Sequence, residues 1–202
     1  MYNNNEIEFW YEFASGYSHI SIHRIEELTE INHINIIWKP FLLGPIFKAQ
    51  GWNTSPFNIY ASKGKYMWKD LERQCYKYNV PYNRPSIFPR LSLLAARVAL
   101  VANDQGWCAE FSKSVFKANY VYDLDISDTD TMIDIIEELG RDGNEIVEYS
   151  LSEENKRRLR DQVTEAISKD IFGAPSFISG RELFWGNDRL EEAIQHCIKT
   201  KK

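Results

Sequence analysis

No apolar run in the 202-residue sequence approaches the ~20 residues a membrane-spanning helix needs. The opening residues, Met1 to Glu6, lack the basic and apolar regions of a secretory signal, which predicts a cytosolic location and no membrane partner. Positive charge is also scarce: 24 Lys and Arg against 29 Asp and Glu give a net charge of -5, which argues against nucleic acid as the main partner. Cysteine is sparse. Cys75, Cys108 and Cys197 form neither a C-x-x-C motif nor a metal-ligand spacing, so reduced, packed thiols are expected. His19 and His23 are an i, i+4 pair, but no H-E-x-x-H pattern or acidic third ligand accompanies them, and no metal site is expected. What is present in quantity is apolar residues, 44% of the chain, enough for a proper core.

The chain opens as strand, helix, strand. Ile7–Tyr11 is β-favouring, residues 17–29 carry apolar residues at helical spacing, and Ile34–Trp38 alternates into a second strand stopped at Pro40. So short a βαβ unit implies parallel strands with a right-handed crossover. From 51 to 169 strand signals almost vanish. Helices are predicted over 63–78, 91–103, 108–119, 130–140 and 152–172, with a proline-punctuated loop through Pro81, Pro85 and Pro89. The helix over 91–103 is apolar nearly all round and should be buried. Asp128 or Asp130 is placed to cap one helix, and Ser152 opens another. The end returns to β structure. Pro175–Ser179 and Glu182–Trp185 read as a hairpin about Gly180-Arg181, and Asn187-Asp188 offers a cap for a last helix from Arg189. A β-α-β start and a β-β-α finish bracketing helices describe an α/β, thioredoxin-like fold with an inserted all-helical domain. The expected division is 1–50 with 170–202 for the former and 51–169 for the latter.

Between the first strand and first helix lies Phe13-Ala14-Ser15-Gly16-Tyr17-Ser18. Ser15 here is either a helix cap or a hydroxyl aimed at a ligand, because the free N–H groups and dipole of a helix start favour an anion. In this fold that turn converges with the residue before the third strand, in Gly173-Ala174-Pro175. A cis proline there would leave the Ala174 backbone available to an extended peptide.

Several ordered motifs carry a family resemblance. They are Phe13–Ser18, Trp38-Lys39-Pro40-Phe41-Leu42-Leu43-Gly44, Asn53 with Pro56, Lys63-Gly64-Lys65-Tyr66, Phe88-Pro89, Phe172–Phe177 and Phe184-Trp185-Gly186-Asn187-Asp188-Arg189. In this order the chain resembles the 2-hydroxychromene-2-carboxylate isomerases and kappa-class glutathione transferases, the glutathione-using branch of the DsbA-like thioredoxin superfamily. Gly16 departs from the pattern, standing where the family carries proline, and makes the turn less rigid.

The resemblance implies glutathione as cofactor, with Ser15 the catalytic contact to its sulfur. It implies Ala174 pairing with the cysteinyl backbone, Asn187 and Asp188 holding the γ-glutamyl end, and Asn53 and Lys63 the glycyl end. Trp52, Tyr66 and Phe88 are expected either to wall an aromatic pocket or to pack in the core. The implied activity is glutathione-dependent isomerisation of a 2-hydroxychromene-2-carboxylate-like aromatic catabolite. The alternative from the same site is a kappa-like transferase that conjugates electrophiles. A thiol–disulfide oxidoreductase is disfavoured because Ser15-x-x-Ser18 holds no thiol; a non-catalytic peptide-binding module is the remaining class. Homodimers are usual in the family, and a small aromatic or electrophilic molecule is the expected partner.

Overall fold

The computed structural model describes residues 5–200. Met1–Asn4, part of the stretch read for a targeting signal, and the last two lysines lie outside them. Four strands form one sheet in the order β2-β1-β3-β4, with β1 at Glu6–Tyr11, β2 at Asn35–Pro40, β3 at Ser176–Ser179 and β4 at Glu182–Trp185. β1 and β2 are parallel, whereas β3 runs antiparallel to both β1 and β4. The predicted βαβ start and hairpin finish therefore meet in one sheet, and the thioredoxin-like fold read from their order is the one observed.

Alternation along β1 builds two layers. Ile7, Phe9 and Tyr11 face the larger core, while Trp10 faces a smaller one with Phe41, Ile46, Val163 and Ala166. The larger core continues without a break from the sheet into the helices, taking in Ala95 and Val98 of α6 (Leu93–Asp104) and Phe111 and Phe116 of α7 (Cys108–Tyr120). Helix α6 is buried on nearly every side, as its composition predicts. A long shared core of this kind makes the helices one wall of the sheet's own interior.

Two boundaries differ from the sequence reading, and three short helices add to it. Residues 17–29 form two helices, α1 (Gly16–Ile22) and α2 (Ile25–Ile31). The break falls at Arg24, whose guanidinium turns inward, stacks 3.6 Å from the Tyr78 ring centroid, and binds Asn187 and Glu191. The helix predicted to reach 172 ends at Ser168 as α10 (Glu153–Ser168); its cap is Ser152, whose hydroxyl accepts from the Asn155 N–H at 3.2 Å. Short helices α3 (Leu43–Ala49), α4 (Pro56–Ile59) and α9 (Gly143–Ser150) carry too few periodic positions to stand out in sequence. The remaining helices are α5 (Ala61–Lys77), α8 (Thr129–Glu138), capped by Asp128, and α11 (Leu190–Thr200), entered through a 3-10 turn at Asn187–Arg189.

Cys75, Cys108 and Cys197 are all buried. Burial pushes the Cys75 thiol up to about 12 and the Cys108 thiol up to about 11, which suits packing rather than nucleophilic chemistry.

Candidate active site

Ser15 is the N-cap of α1. Its Oγ accepts the Ser18 N–H at 3.2 Å and donates to the Ala174 carbonyl at 2.8 Å. The cap reading and the ligand-facing reading therefore describe the same atom. The Ala174–Pro175 peptide bond is cis, as is Phe88–Pro89. The Ser18 hydroxyl, fully buried one turn below, has no hydrogen-bond partner among the described residues.

The turn that presents Ser15 is held mostly by residues distant in sequence. Tyr120 donates its hydroxyl to the Ala14 carbonyl at 2.7 Å, and Asn119 donates its amide to the Phe13 carbonyl at 3.0 Å. Asn119 is itself fixed by Arg90, whose Nη1 lies 2.8 Å from its Oδ1 and whose Nη2 pairs with Asp123. From below, Glu12, only 6% exposed, accepts from the Ala14 N–H at 3.2 Å, the Leu43 N–H at 3.1 Å and the Ser92 hydroxyl. Burial raises the Glu12 carboxyl above its ordinary range, and these hydrogen bonds pull it back in part. None of these four supports, Glu12, Arg90, Asn119 and Tyr120, was singled out in sequence. Glu12 alone offers a signal there, a carboxylate three residues before Ser15.

Gly16 now has a physical reason. A Cβ at this position would stand 2.6 Å from Cδ1 of Leu71, a fully buried residue of α5. Leu71 occupies the space that a side chain at 16 would need. Gly16→Ala should therefore lower stability by about 1 kcal/mol. Pairing it with Leu71→Val should recover part of that loss in a double-mutant cycle read by urea unfolding. Additive effects would show that the contact does not set the residue.

Tyr17 extends the site toward α5. Its phenol donates to Asp70 Oδ2 at 2.9 Å, and burial, that hydrogen bond and the neighbouring charges of Asp70 and Asp188 raise it above its usual range, so it stays neutral. Asp188, exposed, pairs with Arg189 at 3.4 Å. Asn187, 2% exposed, is pinned to the same helix: its Oδ1 accepts from Ser21 at 3.1 Å and Arg24 at 2.8 Å, while its Nδ2 is buried and unpartnered. The Gly186 N–H donates to the Pro175 carbonyl at 2.9 Å, which ties this segment to the proline loop.

Ser15, Ala174, Asn187 and Asp188 are therefore gathered around α1. Lys63 lies in the first turn of α5, exposed, with Nζ 4.8 Å over the Tyr60 ring, and Asn53 is exposed on the bend between α3 and α4. Neither has a contact with Ser15 among the described residues. The three aromatics expected as a pocket wall have separate partners or none: Trp52 packs on Phe47 at 5.8 Å, Phe88 on Trp68 at 4.8 Å, and Tyr66 is exposed.

Residues 6–196 match the family model described as DSBA-like thioredoxin domain. A 2-hydroxychromene-2-carboxylate isomerase of Sphingobium xenophagum is 28% identical over 92% of this chain and 94% of its own. Glutathione s-transferase kappa 2 of Caenorhabditis elegans is 26% identical over 100% of this chain and 96% of its own. Among solved structures, a 2-hydroxychromene-2-carboxylate isomerase superposes with a TM-score of 0.86 at 24% identity, covering 97% of both chains. The resemblance carried by the ordered motifs is the one these comparisons find.

Proposed function

The chain belongs to the DSBA-like thioredoxin domain family, and from that premise we propose that it is a glutathione-dependent isomerase of 2-hydroxychromene-2-carboxylate-like aromatic compounds. The observation that carries the reading is Ser15 itself. A hydroxyl, not a thiol, caps the helix where a redox member of the fold needs cysteine, and it faces the carbonyl before the cis proline at 2.8 Å. Without thiols at 15 and 18, disulfide exchange has no chemistry at this turn.

The residues suit a small anionic thiol peptide. A hydroxyl at a helix start is a donor for a sulfur anion. Lys63 offers an exposed ammonium for a carboxylate, Asp188 an exposed carboxylate for an ammonium, and the buried, unpartnered Ser18 Oγ and Asn187 Nδ2 are polar groups left unsatisfied in the free chain. Ser15 would hold the sulfur, Ala174 the cysteinyl backbone, Asn187 and Asp188 the γ-glutamyl end, and Asn53 and Lys63 the glycyl end.

Glutathione held here would supply a thiolate nucleophile for reversible addition to an unsaturated α-keto acid, the chemistry that a cis–trans isomerisation needs. With glutathione bound, the Ser15 hydroxyl would turn its hydrogen from the Ala174 carbonyl toward the sulfur, and that carbonyl, which has two lone pairs, would accept an amide N–H from the ligand. Tyr120, Asn119 and Glu12 hold the backbone still while the hydroxyl turns, which keeps the cost of preorganising the donor low.

A kappa-like transferase uses the same groups and is the second reading, supported by the match to the nematode kappa-class enzyme over the whole chain. A chromene isomerisation assay run beside a chlorodinitrobenzene conjugation assay separates the two. For both readings glutathione should raise the melting temperature, by mass action on the folded state. No shift at millimolar glutathione would remove the cofactor from the proposal.

A further inference from the structure

Phe172 and Trp185 form an aromatic corner beside the loop that meets Ser15. Trp185 ends β4 opposite Ser176, and its indole lies so near Gly173 that a Cβ there would stand 2.3 Å from Nε1. Phe172 precedes that glycine, and the two rings meet at a centroid separation of 4.7 Å with an interplanar angle of 63°. Both are large apolar groups left in solvent, 45% exposed at Phe172 and 52% at Trp185.

Three other tryptophans carry a cationic side chain over a face. Trp10 lies under Lys39 and Lys169, Trp68 under Arg84 and Trp107 under Arg141. Among the described residues, Phe172 and Trp185 have no cation over them and no ring partner but each other. Phe172 stands two residues before Ala174, and Trp185 is in register with Ser176 two residues after it; the Ala174 carbonyl receives the Ser15 hydroxyl at 2.8 Å. Its rigidity comes from the sheet: Trp185 is in register on β4, and the absence of a side chain at 173 lets the indole close onto the loop.

We propose that Phe172 and Trp185 form the subsite for the aromatic ring of the molecule that reacts at sulfur, a planar, neutral ring of one or two fused cycles. This rests on the glutathione reading, since it is the sulfur beside Ser15 that brings such a ring to the corner. An edge-to-face pair left open on one side accepts a third ring stacked on one member and edge-on to the other, a geometry aromatic groups prefer. Neither ring carries a charge, so the pair suits an apolar ring and not the charged ends of the tripeptide.

Calorimetric titration with S-methylglutathione and S-benzylglutathione tests this without any turnover. The two ligands share the tripeptide and differ by a ring at sulfur. On the wild-type chain S-benzylglutathione should bind about tenfold more tightly, the increment expected of one well-placed aromatic contact. In Trp185→Ala that advantage should vanish while S-methylglutathione binds as before, and Phe172→Ala should reduce it. Gly173→Ala, which displaces the indole without removing it, should also reduce it. A benzyl advantage that survives both Trp185→Ala and Phe172→Ala overturns the subsite and leaves the glutathione site standing. Failure of S-methylglutathione to bind the wild-type chain overturns the glutathione reading and the subsite together. Unchanged S-methylglutathione affinity in each variant also shows that the variant is folded.

Discussion

Ser15→Ala is expected to lower kcat/KM about 100-fold, the scale of losing one donor aimed at developing negative charge. The substitution removes three things at once: the cap on the Ser18 N–H, the bond to the Ala174 carbonyl, and the donor available to a sulfur anion. The first two are stability contributions, and losing a serine cap costs about 1 kcal/mol. A domain of ordinary stability, about 5–15 kcal/mol, survives that loss. Activity should therefore fall far more than the melting temperature does. Ser15→Thr keeps the hydroxyl and the cap and should retain much of the activity. The spectrum of bound glutathione gives an independent readout, because thiolate absorbs near the far ultraviolet edge and thiol does not. Without the Ser15 donor the bound thiol should titrate at higher pH. Turnover equal to wild type for both an isomerisation and a conjugation substrate would reduce Ser15 to a helix cap.

Acidification is expected to destabilise the fold through His19. The ring is fully buried, its Nε2 lies 2.8 Å from the Pro81 carbonyl, and Nδ1 is buried without a partner. A carbonyl only accepts, so Nε2 carries a hydrogen, and burial of the unpartnered Nδ1 keeps the ring neutral. Burial depresses His19 from 6.5 to about 3, partly opposed by the Pro81 bond, and the neighbouring His23 is held below its ordinary value by burial too. A depressed histidine contributes stability that is present above the unfolded value and is lost as pH falls through the window from about 6.5 to about 3. The loss approaches 1.4 kcal/mol per pH unit, so urea unfolding should show about 2–3 kcal/mol less stability at pH 4.5 than at pH 7 from this residue. Glu12 acts in the opposite sense. Its raised carboxyl favours the folded state at low pH, and that contribution is lost as pH rises through its folded value. His19→Gln keeps a donor for Pro81 and removes the titration, so subtracting its pH profile from wild type isolates the histidine. Parallel profiles would mean that His19 takes up a proton in the folded state as readily as in the unfolded one.

Local chemistry carried far in this protein. Alternation in Ile7–Tyr11 and Ile34–Trp38, the Gly180-Arg181 turn and the order of strands about a helical middle are short-range signals, and each survives in the fold. The place of Ser15 is legible for the same reason, since a cap depends on the residues immediately around it. Arg24 marks where that ends. Its spacing fits one continuous helix, and the break falls where its guanidinium meets Tyr78, Asn187 and Glu191, residues distant in sequence.

What holds Ser15 was decided elsewhere in the chain. Tyr120 and Asn119 reach the turn from α7, Arg90 braces Asn119, and Ser92 and Leu43 meet the Glu12 carboxylate. Seen in sequence, 108–119 is a helix with apolar spacing, and nothing separates the asparagine that holds the turn from one facing water. The aromatic corner was hidden in another way: Phe172 and Trp185 stand in motifs that carry the resemblance, but only packing brings their rings together and leaves both half in solvent. The sequence by itself determined the strand order, the cap and the absence of a redox thiol, because propensity, alternation and residue identity act over a few neighbours. Only the tertiary structure decided which distant donors fix the turn, that a side chain at position 16 would press on Leu71, and which aromatics stay exposed. Those depend on burial and on hydrogen bonds between groups that the chain brings together only when it folds.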